Sequence, residues 1–281
     1  MECLICRSGN LKTIGLVDTS KRYEVTQCRK CAMVFTLPRP THDELIAHYS
    51  AEYFTNSKRE AGYADYYSIG EMNMRNMWPS FKEYAEFKPQ VGRRMLDVGC
   101  ASGAFLDEAR KDGWNTKGIE LSNDAVRRAN KEYHLDVLGG DIFDSRLSPK
   151  TFDVLTMWHI LEHTIDPLAV LKRAHELLDS NGALFIELPN WNSLGRIVNG
   201  MKWKQLVPPA HLNFFNTKSM PVALEQAGFN VVKCSTLHVA GFDILRSRVP
   251  KVALPLVGAV EGLVSKLGRG GYLRALALKK E

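Results

Sequence analysis

The sequence predicts an α/β protein with a doubly wound, mostly parallel sheet and helices on both faces, preceded by a small N-terminal ribbon tied by four cysteines. Three observations predict this. From Arg93 onward, short apolar runs alternate with amphipathic stretches, the signature of strand–helix–strand units. A glycine-rich turn, Gly99 to Gly103, follows the first of those runs and opens a helix, as ligand-binding crossovers do in open sheets. Two C-x-x-C pairs lie within the first 31 residues, a spacing suited to a tetrahedral metal site.

The ribbon comes first. Cys3, Cys6, Cys28 and Cys31 form two knuckles with 21 residues between Cys6 and Cys28. Four thiolates on two tight turns suit a closed, structural zinc ion. A segment of about 40 residues lacks the core to fold alone, so the metal is expected to supply folding energy. Paired cysteines used this way imply a reducing compartment. No charged leader followed by an apolar run is visible, and a cytoplasmic location is expected. The zinc-ribbon module is placed at residues 1–40.

Residues 41–90 are expected to form a helical linker or cap. Pro38-Arg39-Pro40 punctuates the chain, and Thr41 with Glu44 three residues on forms a capping box for a helix from His42. Tyr49 and Tyr53 follow. Aromatic and Met residues then recur at roughly helical spacing from Tyr63 to Tyr84, before Pro89 and Gly92.

Residues 91–281 carry the larger domain. Strands are predicted at 94–98, 116–120, 135–138, 152–157, 183–188, 230–236 and 271–279, and helices at 103–111, 123–132, 167–178 and 218–227. An amphipathic insertion, 238–270, interrupts the last strand pair. Its apolar residues Val252, Leu254, Leu256, Val257, Val260, Leu263, Val264 and Leu267 have Lys251, Lys266 and Arg269 at the ends. A lid, a dimer face and a peripheral membrane contact all fit that pattern.

Every chemical motif falls at the carboxyl end of a predicted strand, where open sheets bind ligands. In Asp97-Val98-Gly99-Cys100-Ala101-Ser102-Gly103 the glycines allow close backbone approach, and the helix start favours an anionic group. Glu120 ends the second strand, where a carboxylate can accept two ribose hydroxyls. Asp141 and Ile142 follow the third. A dinucleotide fingerprint does not fit, because Ala101 and Ala104 occupy its second and third glycine positions.

LDVGCASGAFL, GIELS, GDI, FDVLTMWHILEHTIDP and GALFIELPN, taken in order, resemble the motifs of class I S-adenosyl-L-methionine-dependent methyltransferases across about residues 90–240. That resemblance implies that Asp97, Gly99, Cys100, Ala101 and Gly103 cradle the methionyl part and that Glu120 binds ribose. It further implies that Leu121 packs on adenine, that Asp141 and Ile142 hold the base, and that Trp158 and His159 line the methionyl pocket. The N-terminal segment CLICRSGN…CRKCAMVFTLPRPTHDELIAHYSAEYF resembles an extension of bacterial methyltransferases that act on sugars and other small metabolites. It implies that Tyr49 and Tyr53 reach the active site, the alternative being aromatic packing between modules.

A base is needed if the acceptor is a hydroxyl or a carbon acid, and histidine suits that task near neutral pH. The candidates are His159, His163 and His211. His211 lies in Pro208–Phe215, an insertion that resembles the family's H-L-x-F-F element beside the acceptor. Asn190, ending the fifth strand, is a further candidate. His159 to His163 also matches an H-x-x-E-H metalloprotease pattern, which nothing else in the chain supports. Some quinone-pathway O-methyltransferases bind a divalent metal through acids and a histidine in this segment, but His159 stands where an acid would be expected.

The chain has 281 residues, 45% of them hydrophobic, with a formal net charge of +6. These values allow a sizeable core, and the mild positive field suits phosphate-bearing partners. No run of about 18 apolar residues predicts a membrane span. The expected partner is a small-molecule acceptor, such as a sugar nucleotide or lipid-linked glycan, methylated on oxygen or carbon. The alternatives are an RNA methyltransferase using the ribbon and a basic face, and a non-catalytic scaffold. No Lys/Arg run interleaved with aromatics supports the former, and the Asp97, Gly99, Glu120 and Asp141 set argues against the latter.

Overall fold

The computed structural model describes residues 1–19, 21–41, 43–44, 70–85, 93–238 and 250–280. Strands β1 (Leu11–Asp18), β2 (Arg22–Cys28) and β3 (Val34–Leu37) form an antiparallel ribbon. In β2 the alternation is direct: Tyr23 and Val25 are buried, Arg22 and Glu24 exposed, as expected of a strand with one covered face. Thr41 and Glu44 make the predicted reciprocal cap, each backbone N–H donating to the other's side-chain oxygen, at 2.9 and 3.2 Å.

The second sheet opens with β4 (Arg94–Val98), β5 (Asn115–Glu120), β6 (Asp136–Gly139), β7 (Phe152–Trp158) and β8 (Leu178–Pro189), paired in parallel in the order β8-β7-β4-β5-β6. A short strand β9 (Asn213–Phe214) leaves this domain and pairs with β3, so the ribbon sheet runs β1-β2-β3-β9. Strands β10 (Phe229–Leu237) and β11 (Tyr272–Lys279) then extend the large sheet, with β11 antiparallel to both β8 and β10. The fold is the predicted seven-stranded, mostly parallel doubly wound sheet.

Seven helices flank it: α1 (Glu71–Ala85), α2 (Ala104–Lys111), α3 (Asn123–Glu132), α4 (Pro167–Leu177), α5 (Leu194–Asn199), α6 (Ser219–Gln226) and α7 (Leu254–Lys266), counting the described residues. Local chemistry sets their starts. Ser122 Oγ accepts from Ala125 N–H ahead of α3, and Asp166 accepts from Leu168 and Ala169 N–H ahead of α4, with Pro167 at its first position.

All residues of β7 are buried, because both faces of the sheet are covered. On one face Leu96, Leu155, Leu184 and Ile186 pack with α4, α6 and the ribbon's Ile5, Met33 and Phe35. On the other, Met95, Val154, Trp158 and Phe185 pack with Phe105 of α2 and with Trp78 and Phe81 of α1. The period of two along each strand assigns neighbours to opposite cores. The part of the Met and aromatic stripe that lies among the described residues, Met74 to Tyr84, thus serves largely as core.

Arg39 ties the ribbon down. Its half-buried guanidinium donates to the carbonyls of Leu212, Thr164 and Ile165 at 3.0, 2.6 and 2.6 Å, and to Asn213 Oδ1 at 3.1 Å. Asn213 in turn donates to Leu161 and Thr164 carbonyls. Both loops that carry His163 and His211 therefore hang on one ribbon side chain.

Candidate functional site

The turn after β4 is built from left-handed residues: Gly99, Ala101 and Gly103 have φ of +69°, +49° and +81°. Gly99 has a second constraint, since a Cβ there would lie 2.0 Å from Ile160 Cδ1. Gly99→Ala is expected to lower stability by about 1–3 kcal/mol through strain and crowding, read as a drop in thermal midpoint. Ala101 adopts the same backbone region at a modest cost in strain.

Glu120 braces this turn. One carboxylate oxygen accepts from Ala101 N–H at 3.0 Å, the other from Ser122 N–H at 2.9 Å. Burial raises its pKa, while those backbone donors pull it back. Asp97, one strand over, is 1% exposed. Its Oδ1 accepts from Thr156 Oγ1 at 2.6 Å, and its Oδ2 has no partner among the described residues. Burial, with the nearby Glu120 charge adding to it, raises the Asp97 pKa to about 7.

A cavity of about 540 Å³ opens at the carboxyl ends of β4, β5 and β7. Gly99, Ala101, Glu120, Leu121, Asp141, Ile142, Trp158 and His159 all line it. Cys100 does not: its thiol is buried in the core against Gly118, so only its backbone belongs to the turn. Gly103 sits at the head of α2 against Leu135 rather than on the wall. Residues the sequence did not flag also line the cavity, among them Met74 and Met77 of α1, Glu187 and Tyr272. Glu187 had a signal, an acid inside the apolar strand run LFIELP. The methionines had none beyond their spacing.

Beside the cavity, the residues after β7 form an electrostatic network. His159, in the left-handed region at φ +55°, sets Nδ1 3.2 Å from Glu162 and Nε2 3.6 Å from Glu187. Burial alone would lower its pKa, but the two carboxylates outweigh that and push it up to about 10. His159 is thus a cation at neutral pH and no base. Glu187 also pairs with buried Arg274.

His163 Nδ1 donates to the Ala210 carbonyl at 2.8 Å and His211 Nδ1 to that of Gln205 at 2.7 Å, which makes Nε2 the accepting nitrogen of each neutral ring. The rings meet edge to face at 4.8 Å. Burial lowers both pKa values, and the neighbouring His163 helps take His211 to about 3. His163 lines the cavity and His211 does not. Ligand atoms of Glu162, His163 and His211 lie within 4.8 Å of one another, a donor set able to hold a divalent cation. Asn190 is spent on structure: it donates to the Gly268 and Gly270 carbonyls and accepts from Asn192 N–H. Tyr49 and Tyr53 lie outside the described residues.

In the ribbon the four cysteine sulfurs lie within 4.8 Å of one another, with Cys3–Cys31 and Cys6–Cys28 at 3.5 and 3.6 Å. Such separations match the edges of a thiolate tetrahedron around zinc with bonds of about 2.3 Å. Among the described residues no acidic or imidazole ligand joins this set, so the donors fit zinc.

Comparison with known proteins agrees with the architecture. A family model described as a methyltransferase domain matches residues 71–234. A ubiquinone biosynthesis O-methyltransferase from Ralstonia nicotianae is 30% identical over 112 residues, covering 37% of this chain and 47% of that protein. One from Vibrio parahaemolyticus is 26% identical over 159 residues, covering 52% and 68%. The chain thus spans from about half to two thirds of the length of these relatives. Among solved structures, a SAM dependent methyltransferase from Archaeoglobus fulgidus is similar in fold, with TM-score 0.55 and 21% identity over 76% of this chain and 100% of that one. A Mesorhizobium loti S-adenosylmethionine dependent methyltransferase gives TM-score 0.53 and 18% identity over 72% and 97%.

Proposed function

We propose, from the premise that this chain belongs to the methyltransferase-domain family, that it transfers the methyl group of S-adenosylmethionine to a hydroxyl of a small-molecule acceptor. The observation that carries this is the cavity at the sheet's carboxyl edge, where Glu120 is locked to the glycine turn, with Asp97 buried behind the wall rather than on it and keeping one oxygen without a partner among the described residues. Glu120 would take the ribose hydroxyls and Asp97 the α-ammonium, while Leu121, Asp141 and Ile142 would hold the base.

When bound, the cofactor supplies an electrophilic methyl carbon whose bonding electrons return to sulfur as the acceptor oxygen attacks. His163 takes the hydroxyl proton on Nε2, its ring oriented by the Ala210 carbonyl. Glu162, 4.0 Å from that nitrogen, stabilises the imidazolium that forms, and the proton passes to solvent. His211, a candidate base or acceptor ligand from the sequence, stands behind His163, off the cavity wall. With a pKa of about 3 it is too weak a base for the task, and its role is to position His163.

His163→Gln is therefore expected to cut turnover by about 10²–10⁴-fold with cofactor affinity unchanged. Equal turnover in the variant would remove His163 from the mechanism. The acid limb of kcat/KM should lie below the ordinary histidine pKa of about 6.5, because burial lowers that of His163. Radiolabelled methyl uptake across two acceptor panels, sugar nucleotides or lipid-linked glycans in one and hydroxylated aromatics in the other, identifies the class. The aromatic panel follows from the relatives' names, the sugar panel from the ribbon. Uptake by neither would count against the reading.

Asp97 gives a test that needs no acceptor. Its pKa, raised to about 7 by burial, should fall once an ammonium pairs with it. Cofactor binding near pH 7 is then accompanied by proton release, and affinity rises with pH between about 6 and 8. Calorimetry in buffers of different ionisation enthalpy measures the released protons, and Asp97→Asn should abolish them.

A further inference from the structure

We infer that the face formed by α7 and α5 seats the protein on an anionic lipid bilayer. The inference is independent of which acceptor is methylated.

Along α7 and its flanks, Val252, Leu256, Val260, Leu263 and Leu267 are 88%, 69%, 44%, 58% and 67% exposed. From Leu256 the spacing of four, three and four places these side chains on one helical stripe. The opposite side is anchored: Val257 and Glu261 are buried, and the Ser265 carbonyl accepts from Thr236 Oγ1 at 2.7 Å. The exposure therefore belongs to a docked helix whose outer face is apolar. On α5, Leu194, Ile197 and Val198 are also exposed. The two segments are joined, Leu194 N–H donating to the Arg269 carbonyl at 2.9 Å and Arg269 Nη1 to the Asn192 carbonyl at 3.3 Å.

Charge identifies the occupant. Segments 192–204 and 250–270 contain six basic residues (Arg196, Lys202, Lys204, Lys251, Lys266 and Arg269) and a single acid, Glu261. That acid faces inward. An apolar stripe on segments with this excess of basic residues, of which Lys202, Lys204, Lys266 and Arg269 are exposed, matches an interfacial helix meeting anionic headgroups. A second copy of the chain would set the same cations against each other across a two-fold contact. Among the described residues no helix is long and apolar enough to cross a membrane, so the contact is superficial. Tyr272, three residues beyond Arg269, lines the cavity, which brings the site to the same edge as this face.

The test sediments the whole, metal-loaded protein with vesicles of phosphatidylcholine alone or with about 30% phosphatidylglycerol. Binding to the anionic vesicles is expected to be about tenfold or more tighter than to the neutral ones and to weaken at about 0.5 M salt. The double variant Leu256→Glu, Leu263→Glu is expected to lose that binding while its S-adenosylmethionine affinity, measured by calorimetry, stays unchanged. No binding by the parent protein overturns the inference, as does undiminished binding by the variant. A dimer by light scattering that the double variant abolishes, without vesicle binding by the parent, assigns the face to a second copy instead. Because cofactor affinity is read separately, failure here is distinguishable from failure of the methyltransferase assignment.

Discussion

Glu120→Ala is expected to weaken S-adenosylmethionine binding by about 100-fold or more. The carboxylate has two tasks. It accepts Ala101 and Ser122 N–H at 3.0 and 2.9 Å, fixing the glycine turn to the end of β5, and it faces the cavity where ribose hydroxyls would donate to it. Hydrogen bonds to a charged group contribute about 1.5–3 kcal/mol each. Losing two of them is worth about two orders of magnitude in Kd or more. The stranded donors lie at buried positions, so a fold penalty of about 1–3 kcal/mol is also expected, read in a denaturant melt. Glu120→Gln keeps an acceptor and loses the charge, and should fall between. Titration calorimetry decides: an alanine variant that binds as tightly as the parent would remove Glu120 from the cofactor site.

Stripping the ribbon of metal, or replacing Cys31 with Ser, is expected to abolish methyl transfer, by about 100-fold or more, while changing cofactor affinity far less. Zinc binding in small modules is folding free energy of about 10 kcal/mol or more, so the ribbon should lose its turns without the ion. Three contacts carry that loss to the acceptor side. β3 pairs with β9 at Val34–Phe214 and Phe35–Asn213. Asn216 Nδ2 donates to the Ala32 carbonyl, one residue past Cys31, at 2.8 Å. Arg39 clamps the loops of His163 and His211. None of these contacts includes Glu120 or Asp97. Metal content, calorimetry and turnover measured on one sample test the claim; full turnover in metal-free protein would refute it.

Much of the sheet was legible because its strands are short, apolar and separated by amphipathic helices. β4 and α3 fall on their predicted bounds, and β5 and α4 within a residue. β8 starts at Leu178, five residues before the predicted 183, since the residues that follow Leu178, Asp179 to Asn181, are polar and carry no strand signal. β9, two residues long, is too short for any periodicity to mark. Of the site, residues at strand ends were legible, because in this topology position along the strand fixes which edge they reach. Which of His163 and His211 lines the cavity was not. It depends on how the turn after β7, which carries His163, meets the loop before β9, which carries His211, and the carbonyls that orient the two rings lie 47 and 6 residues away in the chain.

The amino-acid order alone determined the alternation that builds a doubly wound sheet, the acid and glycine positions at its carboxyl edge, and the four cysteines of the ribbon. Each of these is a local pattern, written within one or two secondary elements. The tertiary structure decided what depends on distant segments meeting. It raised the pKa of His159 by placing it between Glu162 and Glu187, left Asp97 protonatable near pH 7 by burying it, and ran the ribbon's sheet into the loop that carries His211. Those outcomes follow from burial and the approach of charges, and neither is encoded at any single position of the chain.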